Sequence, residues 1–141
     1  MFIETQKAAL TQHGEETLRT PNSPVGFPSP SREYLENSLD LNELMITNPH
    51  STYFVRVEGY SMENARILPG DILVVDRAAK AVNNKIIIAA LDGEMVVKRL
   101  KIKGDDYWLY PENYKLRPLK IEPWMDFTIW GVVCWVIHLC N

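Results

Sequence analysis

Lys98 and Ser61 are the side chains whose surroundings suit chemistry in this sequence of 141 residues. Residues 85–91 and 94–100 are apolar runs flanking Asp92-Gly93. A two-residue Asp-Gly loop between such runs predicts a β-hairpin. With Asp92 and Gly93 as the loop, Leu91 faces Glu94 and Lys98 faces Ile87. Strand alternation then puts Lys98 on the face of Val96 and Leu100, and Met95, Val97 and Arg99 on the other. A lysine among aliphatic side chains loses solvation of its charged form, so its pKa falls. A lysine neutral near pH about 7–8 can serve as a general base. The same pattern also suits an exposed strand edge, where a lysine opposes edge-to-edge aggregation.

A base needs a nucleophile. Ser61 lies in Glu58-Gly59-Tyr60-Ser61-Met62, just past a β-rich run at residues 52–57. A serine at a strand-to-turn corner exposes its hydroxyl, and consecutive backbone N–H groups there can hold an oxyanion. The structural alternative is a turn serine that caps the next segment. Ser38 and Ser51 have poorer settings. His13 lies in a polar stretch, His50 follows Pro49, and His138 sits in an apolar run, so no histidine completes a triad. No acidic cluster and no Cys/His spacing points to a metal, and no cofactor is implied. A Ser/Lys dyad is the catalytic arrangement left.

The elements that must position this pair can be read in outline. The chain carries 15 basic and 18 acidic residues, a net charge of −3, and 46% hydrophobic residues. That is globular composition for about one domain. A net-acidic chain is poorly suited to strong direct DNA binding, which depends on cations neutralising phosphates. Residues 21–30 hold four of the nine prolines. Proline removes a backbone donor and biases its predecessor to extended conformations, so residues 1–30 are expected to be an exposed arm preceding a domain at 31–141. Asp40-Leu41-Asn42-Glu43 reads as a capping box opening a short helix that ends by Pro49. Residues 52–57, 72–75, 85–91, 94–100, 107–110 and 127–139 read as strands. The fold class is therefore mostly β: a twisted, partly closed antiparallel sheet of six or seven short strands with one short helix. The apolar run at 127–139 is too short to cross a bilayer as a helix. No secretory signal opens the chain, so a reducing cytoplasm is expected, with Cys134 and Cys140 as reduced structural thiols.

The sequence resembles the LexA/UmuD self-cleaving serine peptidases, and within them the UmuD-like SOS mutagenesis proteins. The residues that carry the resemblance run from about Gly26 to Val136. They are Gly26-Phe27-Pro28-Ser29-Pro30, Asp40-Leu41-Asn42-Glu43-Leu44, Thr52-Tyr53-Phe54-Val55, Ser61-Met62, Pro69-Gly70-Asp71-Ile72-Leu73-Val74-Val75-Asp76, Gly93-Glu94, Val97-Lys98-Arg99-Leu100 and Gly131-Val132-Val133. The 37 positions from Ser61 to Lys98 are similar to the family's dyad spacing.

The resemblance implies the LexA-type C-terminal peptidase fold. It makes Ser61 the nucleophile, Lys98 the base, and the N–H groups of Tyr60 and Ser61 the oxyanion donors. It places the cut in the chain's own arm, between Val25 and Gly26. Val25 stands where the family usually has Cys or Ala, and Asn84-Lys85 where it often has Gly-Asp. Asn tolerates a left-handed turn. It further implies a homodimer, stimulation of cleavage by a RecA–single-stranded DNA filament, and union of the shortened form with a UmuC-like Y-family polymerase in translesion synthesis. No membrane is involved. A non-cleaving β interaction module is the alternative. A LexA-like repressor is disfavoured, because the 25 residues before Gly26 show no recognition helix. The strand at 127–139 is apolar on both faces, as expected if one face packs on the core and the other on a partner.

Overall fold

The computed structural model describes residues 2–7 and 38–141. The proline-rich stretch and the Val25–Gly26 bond lie outside the described residues. Among the described residues eight strands form one sheet: β1 (Phe2–Lys7), β2 (Thr52–Val57), β3 (Ile72–Asp76), β4 (Ile86–Leu91), β5 (Glu94–Lys103), β6 (Asp106–Tyr110), β7 (Leu119–Lys120) and β8 (Phe127–Ile137). Their order across the sheet is β1-β2-β3-β8-β4-β5-β6-β7. Every pairing is antiparallel, as expected. The fold is mostly β, with a single short α-helix, α1 (Leu41–Met45), among the described residues.

Two strands add to the expected set. Residues 2–7 pair along the outer edge of β2, where the sequence suggests part of an exposed arm. Leu119–Lys120 adds a two-residue edge beyond β6. Both are held by backbone pairing to a neighbour, a signal that side-chain patterning does not carry. Asp40 caps α1 by accepting from the Asn42 N–H at 2.9 Å, half of the expected capping box.

The β4–β5 hairpin has the expected register: Leu91 pairs with Glu94 and Ile87 with Lys98. Asp92 and Gly93 both have positive φ, 47° and 84°, the backbone twist that a two-residue loop requires. Asn84 is likewise left-handed at φ 72°. The turn it makes is tied to β5 by bonds from Asn84 N to Leu100 O and from Leu100 N to Lys85 O, each 2.8 Å.

The sheet buries both faces. One cluster unites Val55, Val57, Leu73, Val75, Ile88 and Val97 with Met62 and Ile67 from the segment after β2. The other unites Ile87, Ala89, Leu100, Leu109 and Val132. Neighbours Ile87 and Ile88 fall in different clusters, which is the strand parity read from the sequence. Each such fully buried aliphatic side chain contributes about 1.5–3 kcal/mol relative to exposure.

The long strand β8 lies centrally between β3 and β4. It is buried at Gly131 and Val132, and from Cys134 onward it is exposed. Cys134 and Cys140 are free and exposed. The register shifts twice along β8, which passes over Cys134 between the partners of Val74 and Val75 and over Trp130 between those of Ile88 and Ala89.

Candidate active site

The site forms where β6 stops short. Strand β5 has ten residues, but its pairing with β6 covers only Arg99↔Tyr110 to Lys103↔Asp106. Lys98 is the last residue of β5 before that pairing begins, so residues 94–98 present an open edge towards the β6 side. The turn after β2 comes to this edge. Gly59, with φ 79°, turns the chain, and a 3-10 helix (Glu63–Ala65) follows at once. Met62 anchors the turn, being 2% exposed within the first core cluster.

Between the glycine and that anchor stands Ser61. Its hydroxyl makes a long contact of 3.5 Å to the Val97 carbonyl, one residue before Lys98. That is the outer limit of hydrogen bonding, so the hydroxyl is only weakly engaged. The structure thus brings Ser61 to the strand carrying Lys98. Among the described residues, the N–H groups of Tyr60 and Ser61 have no backbone or side-chain acceptor. Tyr60 is 63% exposed beside them.

Lys98 is partly buried. Its strand parity aligns it with Val96 and Leu100, opposite Ile87. Leu100 and Ile87 are fully buried. Desolvation pushes its ammonium pKa below the ordinary lysine value. Arg99 points to the opposite side, as the alternation requires. Its Nε meets Glu112 Oε1 at 2.6 Å, and its guanidinium also donates to Asn84 O at 2.7 Å. The two adjacent cations therefore divide: one is paired, the other desolvated.

The segment leaving β6 is absent from the sequence reading. Glu112 N donates to Ser61 O at 2.9 Å, and Asn64 N donates to Glu112 O at 2.8 Å. Asn113 Nδ2 donates to Tyr60 O at 2.8 Å. The signal available was Pro111-Glu112-Asn113, a turn-forming run directly after a strand.

Of the histidines, His138 finds a partner: its Nδ1 is 2.6 Å from Asp71 Oδ1, a carboxylate that also accepts from Leu68 N. This ties the end of β8 to the turn before β3. Among the described residues no group of His, Cys, Asp and Glu could hold a metal ion. Among them, too, no helix is long and apolar enough to cross a membrane.

A serine hydroxyl beside a strand with a desolvated lysine, next to unengaged backbone donors, is an arrangement for acyl transfer. Residues 21–134 match the family described as Peptidase S24-like. The chain is similar to protein ImpA of Salmonella typhimurium, 41% identical over 125 residues that cover 81% of this chain and 77% of the relative. Protein SamA of Salmonella typhimurium strain LT2 is 43% identical over 121 residues, covering 86% and 84%. The LexA repressor of Actinobacillus pleuropneumoniae serotype 7 is 38% identical over 115 residues, covering 81% of this chain and 54% of that repressor. The chain belongs to the peptidase S24-like family and is a UmuD-like member of its LexA/UmuD group.

Proposed function

We propose that this protein is a self-cleaving serine peptidase of the SOS response that cuts its own chain between Val25 and Gly26. Ser61 Oγ attacks the Val25 carbonyl carbon while Lys98, in its neutral form, takes the hydroxyl proton. The N–H groups of Tyr60 and Ser61 hold the oxyanion. The Val25–Gly26 C–N bond breaks as Lys98 returns the proton to the Gly26 amine, and water then hydrolyses the Val25 ester. The observation that carries this reading is the Ser61 hydroxyl 3.5 Å from the Val97 carbonyl on the open edge of β5, one residue before a lysine whose charge burial disfavours. Membership of a peptidase family agrees with it.

A tethered substrate needs only modest chemistry, because its effective concentration is high. The 35 residues from Gly26 to Ser61 give ample reach at about 3.3 Å per extended residue. A RecA–single-stranded DNA filament acts by favouring the conformation in which the arm occupies the site. The shortened product works in the cytoplasm as a homodimer and joins a UmuC-like polymerase in error-prone translesion synthesis. Similarity to the UmuD-like proteins ImpA and SamA supports a part in SOS mutagenesis, and the family resemblance suggests the polymerase as partner. The exposed apolar end of β8 supports the dimer.

The test is intact mass after incubation from about pH 7 to pH 10, beside Ser61→Ala and Lys98→Ala. Wild type loses residues 1–25 faster as pH rises, and both variants stay whole. A wild-type chain intact at every pH, and intact with the RecA filament added, overturns the peptidase reading and leaves a β interaction module.

A further inference from the structure

The dipeptide Glu112-Asn113 touches both halves of the candidate site. Pairing between β5 and β6 ends at Arg99↔Tyr110, and the chain then departs through Pro111. From there Glu112 brackets the serine turn with two backbone bonds, to Ser61 O and from Asn64 N. Its carboxylate meets Arg99, the neighbour of Lys98. Asn113 is held at both ends of its amide: Oδ1 accepts from Lys115 N at 2.9 Å, and Nδ2 donates to Tyr60 O at 2.8 Å. With the oxygen end fixed by an N–H donor, the NH₂ end must face the Tyr60 carbonyl.

The consequence follows from peptide geometry. The Tyr60 carbonyl and the Ser61 N–H belong to one planar unit, and no peptide bond here is cis. In a trans unit the two groups point in opposite directions. A donor that fixes the Tyr60 carbonyl therefore aims the Ser61 N–H the other way. The Glu112 N–H does the same for the next unit through the Ser61 carbonyl. An oxyanion donor works only when it is aimed in advance at where charge will develop.

We infer that Asn113 is a positioning residue of the site: it orients the Tyr60–Ser61 peptide, and with it the Ser61 N–H, through its bond to the Tyr60 carbonyl. This rests on the reading of Ser61 as nucleophile given above. Asn113 touches no reacting atom and acts through the backbone of the turn.

Asn113→Asp separates this role from simple loop building. Aspartate keeps the oxygen that accepts from Lys115 N–H but places an oxygen, not a donor, against Tyr60 O. Asn113→Ala removes both bonds. Cleavage by Asn113→Asp is expected to slow about 10- to 100-fold at each pH from about 7 to 10. The added carboxylate favours the Lys98 ammonium, so the midpoint of its pH–rate curve can move upward, and the loss is therefore read on the plateau at high pH, where Lys98 is neutral in both proteins. Amide hydrogen exchange is read in parallel on Ser61→Ala chains, which remain whole. There Asn113→Asp should speed exchange over residues 58–66 while leaving β4 and β8 unchanged. Asn113→Asp cutting at the wild-type rate, with only Asn113→Ala impaired, overturns the inference and leaves a loop-building asparagine. Unchanged exchange over 58–66 overturns it too. If wild type is not cut under any condition, the peptidase reading falls, and the exchange result alone decides whether Asn113 holds the turn.

Discussion

Lys98 illustrates how a half-buried charge works against folding. Burial penalises its charged form and pushes its pKa below the usual lysine value. No carboxylate pairs with it among the described residues, whereas Arg99 beside it has Glu112. The sign of the effect on stability follows from linkage. The unfolded chain binds the proton more tightly than the folded one, so stability rises with pH between the lowered folded pKa and the unfolded value near 10.5. Lys98→Met keeps the apolar stem and removes the charge. In a Ser61→Ala background it should raise Tm at pH 7 by at most about 2 °C, because solvent screens a half-exposed charge. The advantage should shrink as pH climbs towards 10. Paired thermal melts of the two proteins at each pH measure it. An equal Tm at pH 7 would show that the ammonium is fully hydrated in the folded state, which removes the basis for Lys98 as a neutral base.

At the scale of elements, β8 is the hinge of the fold, because it joins the β2–β3 side of the sheet to the β4–β5 hairpin. It does so at Gly131. A Cβ added there would lie 2.6 Å from Val75 Cγ1 and 3.2 Å from the Asp76 carbonyl oxygen. Val75 is fully buried and cannot step aside cheaply. The two register shifts of β8, at Trp130 and Cys134, flank this crossing. Gly131→Ala should therefore cost about 1–3 kcal/mol, read as a lower urea midpoint with an unchanged slope. A wild-type midpoint would mean that the strands separate without penalty.

The register of the β4–β5 hairpin was legible in the sequence, though β5 runs on to Lys103, three residues beyond the expected end. An Asp-Gly loop fixes the register, and the register fixes which face Lys98 takes. Ser61 was legible as a corner serine. That its hydroxyl meets Val97 was not, because this depends on where β6 stops and on β8 inserting between β3 and β4. Those are long-range facts, and local periodicity is silent about them. Asn113 was invisible for the same reason: its partner, Tyr60, is 53 residues away.

For the whole molecule, the unfinished surface is the end of β8. Trp135, Val136, Ile137 and Leu139 are all exposed, Leu139 by 77%. The sequence reading expected one face of this strand on the core and the other on a partner. The structure divides the strand along its length instead. Its first half pairs with β4 and is buried or half-buried apart from Thr128, and its second half, paired with β3, leaves the apolar side chains of Trp135, Val136 and Ile137 exposed. The Asp71–His138 contact holds that end against the turn before β3, so the apolar group is presented on a fixed backbone. A fixed, contiguous apolar surface favours association, because little ordering entropy is lost when it is covered. A second copy of the chain offers the same strand, and the two can meet about a twofold axis. Ile137→Asp places a charge in the middle of that surface without touching either core cluster. Sedimentation equilibrium should show wild type as a dimer, and the variant should associate at least about tenfold more weakly. Its Tm, extrapolated to low concentration, should match that of wild type. A wild-type protein that stays monomeric at high concentration would assign the β8 surface to a different partner. A variant that dimerises as tightly as wild type would move the dimer interface to another face of the sheet.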